Sequence, residues 1–205
     1  QADYTRTSAS RLKIETGYKG TARFLDRDFD VRKDAGGTGD WQPSDLSNSF
    51  GFDEQVHAVY GVLSKGVRKV DLQAGLRAEY ATRDFALADE SYPYDYTSLY
   101  PSAAVTWNLS DAWQYKASYS RRVRRPGTQE LNPFPHFFDV SNVFLGNPDL
   151  APEYTDALEA GITRTGKYGM LQLSPYFRRT TDKIDFNIDT DAEFQGREVT
   201  QVSFL

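Results

Sequence analysis

Cysteine is missing altogether from the 205 residues, which excludes disulfide frameworks, thiolate zinc sites and cysteine nucleophiles together. No segment approaches the roughly 18 consecutive apolar residues of a transmembrane helix, so that element is excluded too. Histidine is limited to His57 and His136, which lie far apart, and the sequence therefore predicts neither a metal site nor a cofactor. A net charge of −5 lacks the strongly basic character of a nucleic-acid-binding domain.

Catalytic motifs are also missing. No nucleophile elbow and no paired-histidine zinc motif occurs. The acidic segment 189–193 superficially resembles a calcium loop, but it lacks the glycine and the downstream glutamate of an EF-hand. We therefore expect no catalytic residues and predict that the protein is not an enzyme.

Apolar and charged residues alternate with period two along two long segments, 12–24 and 69–83. In the first, Leu12 and Ile14 fall on one face and Lys13 on the other. Period two indicates β-strands. Strands of globular proteins usually run about 3–10 residues, whereas a tilted strand needs about 9–11 residues to cross the hydrocarbon of a bilayer. These strands are long enough to span a membrane, and a mean hydropathy of −0.62 does not argue against this, because a barrel is apolar only on its lipid face.

Short and long connections alternate along the chain, whereas the strands of a sandwich are joined by turns of similar length at both ends. This asymmetry is typical of outer-membrane barrels, which have short periplasmic turns and long extracellular loops. The predicted turns are 7–10, 64–67, 110–112 and 165–167, and the predicted loops are approximately 30–49, 84–97, 124–152 and 185–197.

The remaining strands alternate less regularly. In the strand around residues 56–62 the apolar residues Val56, Ala58, Tyr60 and Val62 are predicted to face lipid. Proline cannot donate to a strand ladder, so Pro101 and Pro175 are expected at bulges or where pairing lapses. Aromatic residues near the turn at 110–112 fit a periplasmic girdle, although core packing in a soluble hairpin is an alternative; they are Trp107, Trp113 and Tyr115.

The segment 119–160 resembles a recurrent signature of the barrel of TonB-dependent outer-membrane receptors, especially the outer-membrane β-barrel group with a carboxypeptidase-like N-terminal domain. The resemblance is specific over 119–184 and diffuse elsewhere. Its matching residues are Tyr119 to Arg122, Arg125-Pro126, Leu131 to Phe134, Asp139, Asn142, Gly146-Asn147-Pro148, Leu150, Pro152-Glu153, Thr155, Glu159 and Tyr176 to Ile184, and Gly17-Tyr18-Lys19 resembles an earlier strand of the family.

The resemblance implies an all-β fold, an antiparallel transmembrane β-barrel segment that forms an arc of a barrel of about 22 strands. Residues 1–205 would be part of one barrel domain, with the N-terminal plug domain and the terminal strand outside this chain. The family sits in the Gram-negative outer membrane, and its partners would be lipid and lipopolysaccharide, the plug, through it the TonB complex, and an extracellular ligand. A loop such as 124–152 would fold inward over the lumen.

The leading hypothesis is a receptor barrel for TonB-dependent uptake of a bulky ligand such as a siderophore, an oligosaccharide or a peptide. A complete small barrel with adhesive or enzymatic loops and a soluble all-β carbohydrate-binding module are alternatives. Exposed-looking loop residues are the candidate ligand contacts: Trp41, Tyr92, Tyr94, Tyr96, His136 and Phe137. The predicted lumen-lining residues are Lys13, Glu15, Lys19, Arg23, Arg77, Glu79, Lys116, Arg122 and Glu159. A run of arginines at 121–125 suggests either phosphate binding or a solvated strand end.

Overall fold

The computed structural model describes residues 1–34, 36–87, 90–139, 141–194 and 196–205. It is built almost entirely from strands. They are β1 (Ala2–Thr7), β2 (Leu12–Phe29), β3 (Arg32–Lys33), β4 (Gln42–Pro43), β5 (Asn48–Val67), β6 (Val70–Leu87), β7 (Glu90–Asn108), β8 (Trp113–Arg124), β9 (His136–Asp139), β10 (Asn142–Leu145), β11 (Glu153–Gly166), β12 (Gly169–Leu173), β13 (Tyr176–Thr181), β14 (Phe186–Phe194) and β15 (Arg197–Phe204). One helical turn, α1 (Thr128–Leu131), precedes β9.

Nine strands form one antiparallel main sheet in the order β1-β2-β5-β6-β7-β8-β11, with β12 and β13 both paired to β11. Pro175 separates β12 from β13, and Pro101 lies just before the point where β7 begins to pair with β8 at Ser102. Pro175 therefore lies where pairing lapses, as expected, whereas Pro101 pairs with Leu76 of β6 and lies at the limit of pairing only on the β8 side. A second sheet has the order β14-β15-β10-β9, in which β10 and β15 are parallel, and β3 pairs with β4.

Three sequence-based boundaries are wrong. The predicted loop 84–97 consists mostly of strand, because β6 continues to Leu87 and β7 begins at Glu90; the connection at 88–89 lies outside the described residues. The predicted turn 64–67 belongs to β5, and the chain turns instead at Arg68, which has a positive φ of 55°. Most of the predicted loop 185–197 is the strand β14, which belongs to the second sheet.

The main sheet has two chemically different faces, which we define by two rows of paired residues. The inner face carries Glu15, Val62, Gly75, Ser102 and Ser120. The outer face carries the neighbouring row Ile14, Leu63, Ala74, Ala103 and Tyr119.

Large apolar side chains are exposed along the outer face. Val59, Leu76 and Leu99 are exposed to 57%, 51% and 55%. On β6 this apolar stripe runs from Val70 to Tyr80, which at about 3.4 Å per residue and a tilt of about 40–45° gives a height of about 25 Å. That height matches the apolar band of an outer-membrane barrel.

The face predicted for β5 is wrong. Ala58 pairs with Glu79 and Tyr60 pairs with Arg77, so the apolar set Val56, Ala58, Tyr60 and Val62 belongs to the inner face. The physical reason is burial, since Val56 and Ala58 are almost completely buried there, and an apolar side chain can avoid water inside a protein as well as in lipid.

The hydrophobic core lies at one end of the inner face. Phe50 and Phe52 of β5 and Phe85 of β6 form its sheet side, and Leu131 of α1 and Leu150 cover them. The segment between β8 and β11 therefore folds inward over the sheet, as the resemblance implied. We call residues 127–150 the inward segment.

Candidate functional site at the inner face

A buried carboxylate on β6 organises the inner face below the inward segment. Glu79 is 5% exposed, and its Oε1 accepts a hydrogen bond from Nε of Arg77, while its Oε2 accepts one from Nη2 of Arg125. Nε of Arg125 also donates to the hydroxyl of Tyr96 at 2.7 Å. Because Arg125 directly follows β8, this ion pair fixes the start of the inward segment against β6.

A second arginine holds the other end of the inward segment. Arg83 of β6 is 7% exposed; its Nη1 donates to the carbonyl of Leu150 at 3.1 Å and its Nη2 to the carbonyl of Pro148 at 3.0 Å. Its guanidinium also lies 4.9 Å from the ring centroid of Tyr94. Both ends of the inward segment are thus bound to β6, one through Glu79 and the other through Arg83.

The inward segment has its own internal hydrogen bonds. The Glu130 side chain accepts from the Gly127 amide at 2.7 Å, and the Glu130 carbonyl accepts from the Asn147 amide at the same distance. The Gly146 amide donates to the Asn132 carbonyl at 2.8 Å. A Cβ at Gly146 would lie 2.5 Å from the Asn132 backbone, so only glycine fits this approach.

The arginine run at 121–125 is largely occupied. Arg124 pairs with Glu130 and, at 3.5 Å, with Glu153, and the nearby Glu130 carboxylate raises the pKa of Arg124. Arg121 lies 4.9 Å from the ring centroid of Tyr154. Arg122 is exposed on the inner face. Most of these arginines therefore form contacts within the protein at the end of β8. Neither phosphate binding nor a solvated strand end describes the whole run.

A small aromatic pocket lies between the inward segment and the sheet. Its volume is about 200 Å³, and aromatic side chains dominate its wall beside the single guanidinium of Arg27. In its wall the rings of Phe29 and His136 pack edge to face, with their centroids 6.1 Å apart. Aromatic rings with one cation and one imidazole suit a flat or aromatic group on a ligand. The wall includes Phe29, Phe50, Phe134, His136 and Phe204.

The predicted ligand contacts do not form one cluster. The placement of Tyr92, Tyr94 and Tyr96 on a loop is wrong, because all three lie on β7 and are half-buried. The Tyr94 ring lies under the Arg83 guanidinium, and the Tyr96 hydroxyl accepts a hydrogen bond from Arg125. The Tyr92 hydroxyl donates to Glu90.

The other three predicted contacts lie apart from these tyrosines. His136 lines the aromatic pocket, and the Phe137 ring packs on Phe194 at 5.1 Å. Trp41 is 60% exposed just before β4. Of the six, His136 alone lines the aromatic pocket, so contact with a ligand stays a prediction for the set.

The predicted lumen-lining residues all belong to the inner face by register. Several form ion pairs there: Lys13 with Glu15 at 2.8 Å, Arg23 with Glu54 at 3.4 Å, and Glu159 with Arg178 at 3.8 Å. Lys19, Lys116 and Arg122 are exposed. Contact with a water-filled lumen stays a prediction for all nine.

Sequence reasoning missed the residues that hold the inward segment. Arg83 shares the alternating face of Arg77 and Glu79, so the period-two pattern contains the signal for it. Arg125 has no comparable local signal, since its partner Glu79 is 46 residues away in sequence.

Two further findings concern the described part of the chain. None of its helices is long and apolar enough to cross a membrane. Nor do three or more histidine, cysteine or acidic side chains come together there in a group that could hold a metal ion.

Comparison with known proteins matches this architecture. Residues 1–204 match the family described as the outer membrane protein beta-barrel family. Among solved structures, the copper transporter OprC is similar with a TM-score of 0.69 and 18% identity, covering 98% of this chain and 31% of OprC. A double mutant of the Serratia marcescens hemophore receptor HasR, solved with its hemophore HasA and heme, has a TM-score of 0.61 and 13% identity, covering 95% of this chain and 38% of the receptor. No curated protein matches the sequence.

At these identities the structural likeness shows the fold alone. The chain spans about a third of the length of the solved proteins it matches, which agrees with an arc of a larger barrel. The main sheet ends at β1 on one side and at β12 and β13 on the other, so it does not close on itself within the described residues. The chain belongs to the outer membrane protein beta-barrel family and forms part of a barrel wall in the Gram-negative outer membrane.

Proposed function

We propose that this chain is part of the wall of an outer-membrane transporter that takes up a bulky extracellular ligand with energy supplied through TonB. The observation that carries the proposal is the contrast between the two faces of the main sheet. The outer face exposes Leu76 and Leu99, whereas the inner face bears buried and exposed charges such as Glu79 and Lys116. A wall with this arrangement separates lipid from a hydrated interior.

The inward segment supports a receptor rather than an open pore. It folds over the inner face, and the buried Arg83 and the partly buried Arg125 hold its two ends. In a closed barrel it would narrow the extracellular mouth and present the aromatic pocket to an incoming ligand. The pocket favours a ligand with a flat or aromatic part, a property shared by heme and many siderophores.

The proposal includes a plug domain and a terminal strand elsewhere in the protein, and contact with the TonB complex would occur through the plug. An open sheet edge in hydrocarbon would leave backbone groups without partners at several kcal/mol each, so in the proposed barrel further strands pair with β1 on one side and with β12 and β13 on the other. No catalytic role is proposed for any residue.

Uptake by intact cells tests the proposal. Cells that produce the protein and cells that lack it are offered radiolabelled heme, ferric catecholate and hydroxamate siderophores and malto-oligosaccharides, with and without a protonophore. We expect accumulation of at least one ligand that requires both the protein and the proton gradient. Two results contradict energised transport: uptake that continues for every accepted ligand when the proton gradient is removed, and no uptake of any ligand in the panel.

The pocket is tested in the same assay. His136→Ala and Phe134→Ala should each lower uptake of the accepted ligand at least several-fold, because both side chains line the aromatic pocket. Tyr168→Ala is the matched control, since that ring is 96% exposed in the turn between β11 and β12. Equal effects of all three variants would place the ligand elsewhere.

A further inference from the structure

A long apolar groove crosses the outer face, on the opposite side of the sheet from the inward segment. Its volume is about 910 Å³. It lies between two neighbouring rows of outward side chains, one from Leu63 to Phe177 and the other from Lys65 to Ala160. The first row crosses six strands and the second crosses five, so at about 4.8 Å per strand the groove is about 24 Å long.

Small side chains make the groove deep. Ala74 and Ala103 lie in the first row and Ala117 and Ala160 in the second, whereas larger apolar side chains stand around them. The lining is almost wholly apolar, and it belongs to the face that meets lipid. A groove of this width and chemistry fits a hydrocarbon chain.

The groove is inclined to the membrane. The row through Val67 reaches β11 at Ile162, four residues before that strand ends at Gly166, whereas β5 ends at Val67 itself. A row of paired side chains therefore lies farther from the periplasmic rim at β11 than at β5. Four residues at about 3.4 Å, corrected for strand tilt, give a rise of roughly 10 Å within a leaflet about 15 Å thick.

Positive charge gathers at the lower end of the groove. Lys65 is exposed there, only two residues from the end of β5. Arg11 lies next to it, because Leu12 pairs with Lys65, and Arg68 occupies the adjacent turn. None of the ion pairs found among the described residues involves Arg11, Lys65 or Arg68.

We propose that this groove is a binding site for one phospholipid of the periplasmic leaflet. One acyl chain lies between the two rows and rises from the rim towards the middle of the membrane. The phosphate lies at the rim beside the Lys65 ammonium, with Arg11 and Arg68 adding positive charge. Each cation near the membrane surface contributes about fivefold to the affinity for an anionic headgroup. The proposal depends on the membrane position of the sheet and not on the transport function.

Native mass spectrometry of the protein purified from outer membranes in mild detergent tests the site, with dioleoylphosphatidylglycerol as the titrated probe. One phospholipid should remain bound through detergent exchange. Ala103→Phe fills the groove and should lower the affinity for the probe at least tenfold. Ala78→Phe is the matched control, because Ala78 lies on the outer face of the same sheet but not in the groove.

The charge is tested separately. Lys65→Gln should weaken binding of the probe about fivefold, whereas Lys167→Gln, in another turn at the same rim, should leave it unchanged. If Ala103→Phe loses its β-sheet circular dichroism, Ala117→Phe takes its place. Equal affinity of the filled and control variants overturns the site, and so does retention of lipopolysaccharide or of a protein partner in place of a phospholipid.

Discussion

Replacing Arg83 should release the inward segment from the sheet. Arg83→Met keeps an apolar stem over Tyr94 but removes both donors to the carbonyls of Pro148 and Leu150. A hydrogen bond from a charged donor contributes about 1.5–3 kcal/mol, and a buried carbonyl left without a partner costs about 1–3 kcal/mol. Pro148 is partly exposed, so water can replace its partner, whereas Leu150 is 5% exposed and bears the full cost. The free energy of local opening should fall by about 2–3 kcal/mol.

Hydrogen exchange measures this change directly. A fall of this size corresponds to about 30- to 150-fold faster exchange of the protected amides in 127–150, such as those of Gly146 and Asn147. The matched control is Arg23→Met, because the Arg23 guanidinium also lies over a ring, that of Phe52, but forms no hydrogen bond to a carbonyl in the described part of the inward segment. Unchanged exchange in Arg83→Met, or an equal effect in the control, would refute the claim that Arg83 holds the inward segment against β6.

Three further substitutions probe other parts of the wall. Gly146→Ala should accelerate exchange in the inward segment several-fold, because the added Cβ would lie 2.5 Å from the Asn132 backbone; normal exchange would show that the approach is looser. Glu79→Gln should leave Arg125 without its charged partner and lower the urea midpoint of unfolding from lipid vesicles, and an unchanged midpoint would contradict a structural role for the pair. Leu76→Arg should destabilise the folded barrel in vesicles by about 2–4 kcal/mol, since it places a charge on the lipid face; a neutral effect would argue that Leu76 does not face lipid.

The sequence correctly assigns side chains to the two faces of the sheet where charged residues mark the inner face. In β2 and β6 the alternation is unambiguous, because Lys13 and Arg77 cannot face lipid without a large cost. The fold class, the short periplasmic turns and the interruption at Pro175 follow from patterns of this kind.

The pattern failed on β5 for a physical reason. Its inner face carries Val56, Ala58 and Val62, and its outer face carries His57 and Gln55 towards the extracellular end. Burial inside the protein and exposure to lipid select the same side chains, so hydropathy alone cannot assign the face. Register with neighbouring strands is required, and it depends on pairing across the whole sheet.

The inward segment was predicted only through the family resemblance. Its turn at Gly146 and Pro148 can be recognised locally, but its partners cannot, because Arg83 lies 65 residues from Pro148 in sequence. Alternating Tyr, Pro and Asp residues at 92–96 are typical of a loop, although in the structure they form part of the strand β7.

The orientation of β5 gives the most direct test of the central claim that this sheet separates lipid from a hydrated interior. Because the chain has no cysteine, a spin label can be attached at each position from 59 to 64 in turn, in the folded protein in lipid vesicles. Collision with oxygen, which partitions into lipid, should be highest at 59, 61 and 63. Collision with a water-soluble nickel chelate should be highest at 60, 62 and 64. The opposite phase, or no period of two, would contradict the account.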